Sequence, residues 1–349
     1  MKNKHIFYFD ALRTIAILCV VLLHITGHLA EITNYTSLTI FSPSGIFETF
    51  MNNFTRIGVD LFFILSGALL LGRNSDIKSF LSKRLPRIIK PFLFWSLIFS
   101  AALLIASYTL SSFHYLGHNF LNIFYNTLMC DAPGSAVYWF FWTMLGVYLI
   151  MPIFNKWVLN ADLSEIEYFL VIWIVSTIFD YTLMKSCPIK LTYFTSPFGL
   201  VLLGYYLRHT KRKIFSNVYI AVILTILPAA LMLVYSLCVI DSNILFEFHR
   251  YSILPIAEAV GIFCLFKTST YLNNPDKHVK TVVSSIAMCS YGMYLTHSQI
   301  IMIVRKVLHI SFDFTITYLI LFFTGFIMSW LLILLLSKIP IINDYVGVK

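Results

Sequence analysis

The sequence predicts an all-α integral membrane protein with about ten transmembrane helices and with the N- and C-termini in the cytoplasm. Of the 349 residues, 59% are hydrophobic and only 12% are charged, whereas a soluble domain carries about 25% charged residues. Long apolar runs recur along the whole chain. These runs are too long and too uniformly apolar for the alternating strands of a membrane β-barrel, so helices remain as the way to satisfy the backbone in lipid.

The apolar runs define the predicted spans, which we group in a single domain over residues 1–349. The first span, 12–30, is followed by no small-residue cleavage pattern, so we interpret it as a true span and not as a signal peptide. Segments 43–56 and 113–130 are predicted to hold short interfacial helices. The other spans are 57–72, 88–109, 136–155, 167–184, 193–208, 216–238, 251–266, 282–304 and 314–337.

The distribution of positive charge predicts the orientation of these spans. With the N-terminus inside, 19 of the 25 Lys and Arg residues fall in cytoplasmic segments, which agrees with the positive-inside rule. Loss of one span would place the basic loops on opposite sides of the membrane. We therefore attribute the net charge of +9 to membrane topology, and we expect no nucleic-acid partner.

The cysteines give no sign of a metal or disulfide framework. The six are scattered, with no CxxC pair and no His/Cys cluster at metal-ligand spacing. We therefore predict no metal site. One disulfide between Cys130 and Cys187, which both lie near predicted outer loops, remains conceivable.

Ionisable residues within spans indicate function, because each costs free energy in lipid. Arg13 and His24 are eleven residues apart in the first span, which places them within about 20° of one helix face and about 16 Å apart along the axis. A histidine held away from bulk water can stay neutral and act as a general base. The alternatives are an interfacial anchor for Arg13, paired with Asp10, and an interhelical hydrogen bond for His24.

The second span combines a carboxylate with small residues. Asp60 lies at its outer end, and Ser66 and Gly67 lie near its inner end. Small residues let helices approach closely. Packing alone is the alternative interpretation of Ser66 and Gly67.

The segment 83–91 is predicted to be a basic cytoplasmic loop that contains Arg84 and Arg87. Arginines can hold phosphates through bidentate hydrogen bonds. The alternatives are positive-inside topology alone and contact with anionic lipid headgroups.

Further polar residues lie in the later spans. Ser290, Tyr294 and His297 are spaced i, i+4 and i+7 and therefore share one helix face. His297 is a second candidate for proton handling or acceptor binding, and a helix contact is its alternative. Asp180 and Glu258 are intramembrane carboxylates that could pair with an arginine or histidine of another helix.

Together these segments resemble the acyltransferase-3 family of integral membrane acyltransferases. The resemblance runs through the whole chain, and five motifs in this order are specific to the family. Tyr138 departs from the pattern, because many members have histidine before the Trp-Phe pair. The matching segments are Phe9–Ala16 with the Arg, ten residues, His pattern ending at His24; Gly58–Gly67; Arg84-x-x-Arg87 with Pro91 and Trp95; Tyr138–Phe141 with Tyr148 and Pro152; and Ser290–His297.

The resemblance implies a multi-pass enzyme of a bacterial inner membrane. Such an enzyme would move an acetyl or other acyl group from cytosolic acetyl-CoA to a hydroxyl of a surface polysaccharide or lipid-linked glycan precursor, among membrane lipids and without a metal. His24 would be the catalytic residue, and Arg13 would assist the acyl-CoA. We expect Arg84, Arg87 and Ser66 to bind the cofactor, and Asp60, Tyr294, His297 and Glu258 to bind the acceptor.

Two other functions fit the same composition. A transporter or flippase for a lipid-linked glycan would also use buried charges, but it would favour an inverted repeat, which we do not find in the sequence. A non-catalytic subunit of a polysaccharide-export complex would tolerate alanine at the intramembrane ionisable residues.

Overall fold

A computed structural model describes residues 6–30, 41–183, 191–239, 248–308 and 314–348. Regular structure in these ranges is helical, and they contain no β-strand, which confirms the all-α prediction. Twelve α-helices lie in the described residues: α1 Phe7–Ala30, α2 Pro43–Phe54, α3 Ile57–Leu70, α4 Ile77–Thr109, α5 Phe120–Leu128, α6 Trp139–Asn160, α7 Leu163–Thr177, α8 Phe198–His209, α9 Val218–Cys238, α10 Ile253–Thr268, α11 Lys277–Leu308 and α12 Phe314–Leu336.

Six helical segments of the described chain are long and apolar enough to cross a membrane, and each overlaps a predicted span. They are Phe7–Gly27, Pro43–Leu70, Ile77–Thr109, Ala136–Asn160, Val218–Cys238 and Thr315–Leu336. The other four predicted spans are helical too. Of these, α7, α8 and α10 have 15, 12 and 16 residues, fewer than the ~20 that cross a bilayer unaided. The number of spans and the cytoplasmic termini stay predictions.

Side-chain caps set the first residues of several helices. The Ser42 hydroxyl accepts a hydrogen bond from the Gly45 amide at 3.1 Å, just before α2, and the Asp76 carboxylate accepts one from the Ser79 amide at 2.9 Å, just before α4. Such caps satisfy the amides that a helix start leaves unpaired. Because α4 begins at Ile77, the basic segment 83–91, including Pro86, lies inside this helix. The prediction of a loop was therefore wrong.

The described helices group into two compact units. Unit 1 contains residues 1–74 and 153–287, and unit 2 contains residues 75–152 and 288–349. The single domain proposed from the sequence stays a prediction.

In unit 1, glycines bring α3 into backbone contact with two neighbours. A β-carbon on Gly58 would lie 2.8 Å from the Ala16 carbonyl oxygen of α1. One on Gly67 would overlap the carbonyl of Val201 in α8, and Gly204 of α8 meets Ile64 in the same way. The predicted close approach at Gly67 is thus observed, and α3 lies between α1 and α8.

The helix α2 turns its polar side inward. Its buried residues are Gly45, Glu48, Thr49, Asn52 and Asn53, whereas Ile46 on another side is exposed. The Asn53 amide donates a hydrogen bond to the Ser236 hydroxyl of α9 at 2.9 Å. In a hydrocarbon solvent this arrangement is favourable, since polar groups gain partners only inside the protein.

Unit 2 is held together by hydrogen bonds from aromatic side chains to backbone carbonyls. Tyr291 of α11 donates to the Ile88 carbonyl of α4 at 2.8 Å. Trp95 of α4 donates to the Val346 carbonyl at 3.3 Å. The C-terminal residues therefore fold back after α12 and pack within this unit.

Candidate active site

The residues Arg13 and His24 lie on α1 as predicted, and both side chains are partly buried. Between them along the helix, Ala16 and Val20 are buried and meet Gly58 of α3. Glycine at this position lets the α3 backbone approach α1 midway between the guanidinium and the imidazole. Their catalytic roles stay predictions.

The side of α1 that carries Asp10 is fixed by the start of α11. Asp10 accepts a hydrogen bond from the Ser284 hydroxyl at 2.7 Å. Four residues later, Thr14 donates to the Val283 carbonyl at 3.1 Å. These bonds set the rotation of α1 about its axis and therefore the direction in which Arg13 points.

Two carboxyls from distant parts of the sequence meet inside unit 1. Asp60 of α3 and Glu258 of α10 are both 0% exposed, and they lie close enough for each carboxyl to disfavour ionisation of the other. Within the described residues, none of their four carboxyl oxygens has a hydrogen-bond partner. Arg250 acts electrostatically on Asp60, and Glu258 acts on Cys19 of α1. The cluster therefore presents buried acceptor oxygens within electrostatic range of the Arg250 guanidinium and of the helix that carries Arg13 and His24.

Asp60 and Gly58 face different neighbours. They are two positions apart on α3, which separates their directions by about 200°. Asp60 instead shares a face with Gly67, seven residues later, which packs on α8. The Asp60 carboxyl thus lies on the side of α3 away from the Gly58 contact with α1.

The sequence analysis did not identify the buried polar side of α2. Glu48 is 0% exposed and Arg56, which follows the helix, is 9% exposed. The Arg56 guanidinium donates a hydrogen bond to the Asn52 side-chain oxygen at 2.7 Å. Polar residues recur here every three or four positions from Glu48 to Arg56, and this helical spacing was the available signal.

An aromatic group adjoins the buried carboxyls. The Tyr181 and His249 rings are stacked with centroids 4.3 Å apart, and the Tyr251 ring lies 5.6 Å from that of Tyr181. The His249 Nδ1 accepts a hydrogen bond from the Tyr251 amide at 3.2 Å, so a neutral ring carries its proton on Nε2. Partial burial, and then the charges of Arg250 and Arg56, lower the pKa of His249. These surroundings therefore favour the neutral imidazole over the imidazolium.

The predicted residues Tyr294 and His297 lie together in unit 2, with ring centroids 5.7 Å apart. Both are buried. Tyr294 donates to the Val137 carbonyl at 2.7 Å. The His297 Nδ1 lies 3.0 Å from the Met293 carbonyl oxygen, which favours the tautomer with the proton on Nδ1 and Nε2 as the acceptor.

The position where Tyr138 departs from the family pattern is part of this core. The tyrosine is 0% exposed, and its hydroxyl accepts a hydrogen bond from the Gln299 amide at 3.2 Å. The Tyr138 hydroxyl thus holds α11 in place through a hydrogen bond to Gln299, close to the other polar residues of that helix.

The predicted cofactor residues come from both units. Arg84 and Arg87 lie one turn apart on α4 in unit 2, with Arg84 partly buried and Arg87 exposed. Ser66, in unit 1, donates a hydrogen bond to the Phe62 carbonyl of its own helix at 2.8 Å. Their part in binding a cofactor stays a prediction.

The described residues contain no candidate metal site and no disulfide at Cys130. No group of three or more His, Cys, Asp or Glu residues in them could hold a metal ion. Cys130 is a free thiol, and Cys187, its conceivable partner, lies outside the described residues.

Comparison with known proteins gives one match. The model of the acyltransferase-3 family, described as an acyltransferase domain, matches residues 6–335. No curated protein and no solved structure matches the chain. The matched range contains all the candidate residues named above, in both units.

Proposed function

This chain belongs to the acyltransferase-3 family, and we propose that it moves an acetyl or other acyl group from cytosolic acetyl-CoA to a hydroxyl of a surface polysaccharide or lipid-linked glycan precursor. Its apolar helices make it a multi-pass membrane protein. We place it in a bacterial inner membrane, as its family implies, with both termini in the cytoplasm, because its basic residues concentrate in the segments that this topology puts inside.

The observation that carries the glycan assignment is the pair of buried carboxyls. A buried polar group without a partner costs about 1–3 kcal/mol. Ligand hydroxyls would donate to the oxygens of Asp60 and Glu258, which lack partners among the described residues. A sugar supplies several hydroxyl donors at once, whereas a purely apolar acceptor supplies none. The carboxyls therefore favour a polyhydroxylated acceptor.

For the donor, we assign Arg84 and Arg87 to the phosphates of acetyl-CoA. Two guanidiniums one helical turn apart present parallel N–H groups that match phosphate oxygens. We keep Ser66 as a further contact to the donor. Tyr294 and His297 are assigned to the acceptor.

The reaction needs one proton removed and one returned. The acceptor hydroxyl oxygen attacks the thioester carbonyl carbon, the C–S bond breaks, and the CoA sulfur leaves with the electron pair. His24 takes the hydroxyl proton and returns it to the leaving sulfur. Arg13 stabilises the negative charge that develops on the carbonyl oxygen. A route in which His24 first accepts the acyl group gives the same products.

The test uses sealed membrane vesicles with the cytoplasmic face outward, supplied with acetyl-CoA labelled in the acetyl group. The proposal predicts label in a glycan fraction and an equal amount of free CoA thiol, both absent from vesicles that lack the protein. Movement of a lipid-linked glycan without consumption of the thioester would instead identify a transporter and overturn the proposal.

A further inference from the structure

We infer that the acceptor is lipid-linked and that its hydrocarbon chain occupies a cavity in unit 1 of about 560 Å³. This inference rests on the proposed function and specifies its acceptor. The volume lies within the ~300–1,000 Å³ typical of small-molecule sites. The cavity contains none of the residues predicted from the sequence. Its lining includes Leu231, Val234, Phe248 and Leu254.

One wall of the cavity is open toward the lipid. Leu231 and Val234 of α9 line it and are 47% and 57% exposed. The helix itself is one of the membrane-spanning candidates. A chain could therefore enter sideways from the bilayer, without leaving hydrocarbon. Apolar surface open to hydrocarbon is filled by an apolar chain, since water cannot satisfy its hydrogen bonds there.

Another part of the lining comes from a π-helical turn, a rare backbone form. Residues Ile178–Thr182 form a π-helical turn after α7, in which the Leu183 amide donates to the Ile178 carbonyl at 2.8 Å. The Thr182 hydroxyl accepts a hydrogen bond from the Ile253 amide at 3.0 Å and so ties this turn to α10. Turns of this kind occur often at functional sites. Here the turn brings Tyr181 to the cavity lining.

Polar groups connect this lining to the buried carboxyls. The stacked Tyr181 and His249 rings both line the cavity. Tyr251 contacts both rings and interacts electrostatically with Asp60. A ligand with its chain between α9 and the π-helical turn would thus have its polar end on the side of the carboxyls. An annular phospholipid would need no such polar path, so we assign the cavity to the amphipathic acceptor.

The test measures occupancy directly, by photocrosslinking of the full-length protein in phospholipid nanodiscs. One probe is a polyprenyl phosphate with a diazirine in its chain, and the other is a phosphatidylglycerol with a diazirine in one acyl chain. Crosslinked peptides are mapped by mass spectrometry. We expect the polyprenyl probe to label the peptides of the cavity wall about tenfold more than the phospholipid probe at equal mole fraction.

Variants localise the signal. Leu231→Trp and Val234→Trp each place an indole at the cavity mouth and should lower polyprenyl labelling about tenfold. Ile226→Trp is the control, because Ile226 is 62% exposed on the same helix and is not in the lining. Equal labelling by both probes would assign the cavity to bulk lipid, and labelling unchanged in both variants would place the chain elsewhere; either result overturns the inference. Photocrosslinking requires no CoA. The vesicle assay for acyl transfer can therefore fail while cavity labelling succeeds, and the two failures can be told apart.

Discussion

Gly67 of α3 and Val201 of α8 meet backbone to backbone, so closely that a β-carbon on the glycine would overlap the valine carbonyl. Gly204 makes the reciprocal contact with Ile64. The two glycines let α3 and α8 pack without side chains between them. Because Asp60 shares the Gly67 face of α3, this contact fixes the position of the carboxyl relative to α8.

The first prediction concerns this contact. Gly67→Val should lower the free energy of unfolding by about 2 kcal/mol or more, because the added carbons overpack a rigid backbone contact. Thermal unfolding in detergent measures the loss. Gly27→Ala on α1 is the control, since a β-carbon there meets nothing within 4 Å. Equal melting temperatures for the two variants would show that the helices separate readily.

The second prediction concerns the buried carboxyls. Asp60→Asn and Glu258→Gln keep the shape of each side chain but replace one carboxyl oxygen with an amide NH2 group, which cannot accept a hydrogen bond. If these oxygens bind acceptor hydroxyls, each variant should raise the KM for acceptor about tenfold, since loss of the accepted hydrogen bond leaves a buried polar group unpaired at a cost of about 1–3 kcal/mol. The KM for acetyl-CoA should stay constant. Glu165→Gln, an exposed carboxylate of α7, serves as the control, and an unaltered acceptor KM in both buried variants would refute their assignment.

The third prediction concerns the donor. Arg84→Gln with Arg87→Gln should raise the KM for acetyl-CoA at least tenfold while kcat changes little, because phosphate contacts away from the thioester contribute equally to the ground and transition states. Lys83→Gln is the matched control, because Lys83 is an exposed cation on the same turn of α4. A similar rise in KM for the control would indicate a general effect of positive charge instead of a phosphate site.

The fourth prediction concerns pH. Burial and two arginines lower the pKa of His249, so the unfolded chain binds this proton more readily than the folded protein does. The folded protein keeps its full stability at a pH above the pKa that His249 has in the unfolded chain. As the pH falls below that pKa, proton binding stabilises the unfolded chain, and the free energy of unfolding decreases. Wild type should therefore lose more thermal stability between pH 7.5 and about 5.5 than His249→Gln does. Identical pH profiles would show that His249 does not titrate in this way.

Much of the helical framework could be predicted from the sequence, because apolar runs of sufficient length have few alternatives in lipid. Every predicted span overlaps a helix in the described residues, and the placement of Arg13 and His24 on one face follows from spacing within α1. The pairing of Asp60 with Glu258 could not be predicted, since they lie 198 residues apart on different helices and only packing selects among the possible partners.

Three local features could not be predicted correctly from the sequence, each for a physical reason. The segment 83–91 suggested a loop because it combines charges with prolines, yet the Asp76 cap starts α4 before it. The polar side of α2 escaped notice because the mean hydropathy of a segment does not report which side faces inward. The π-helical turn at Ile178–Thr182 has no simple sequence pattern, so the cavity beside it became visible only in the structure.

The most direct test of the central claim is the rate of acetyl transfer by His24 variants in sealed vesicles with labelled acetyl-CoA. His24→Ala and His24→Gln should each lose at least about 100-fold in rate, the range that general acid–base catalysis contributes, while Leu23→Ala, a change at the adjacent partly buried residue, should remain active. The glutamine variant can still form a hydrogen bond between helices but cannot transfer the proton. Wild-type rates from either histidine variant, at equal protein levels, would contradict the account.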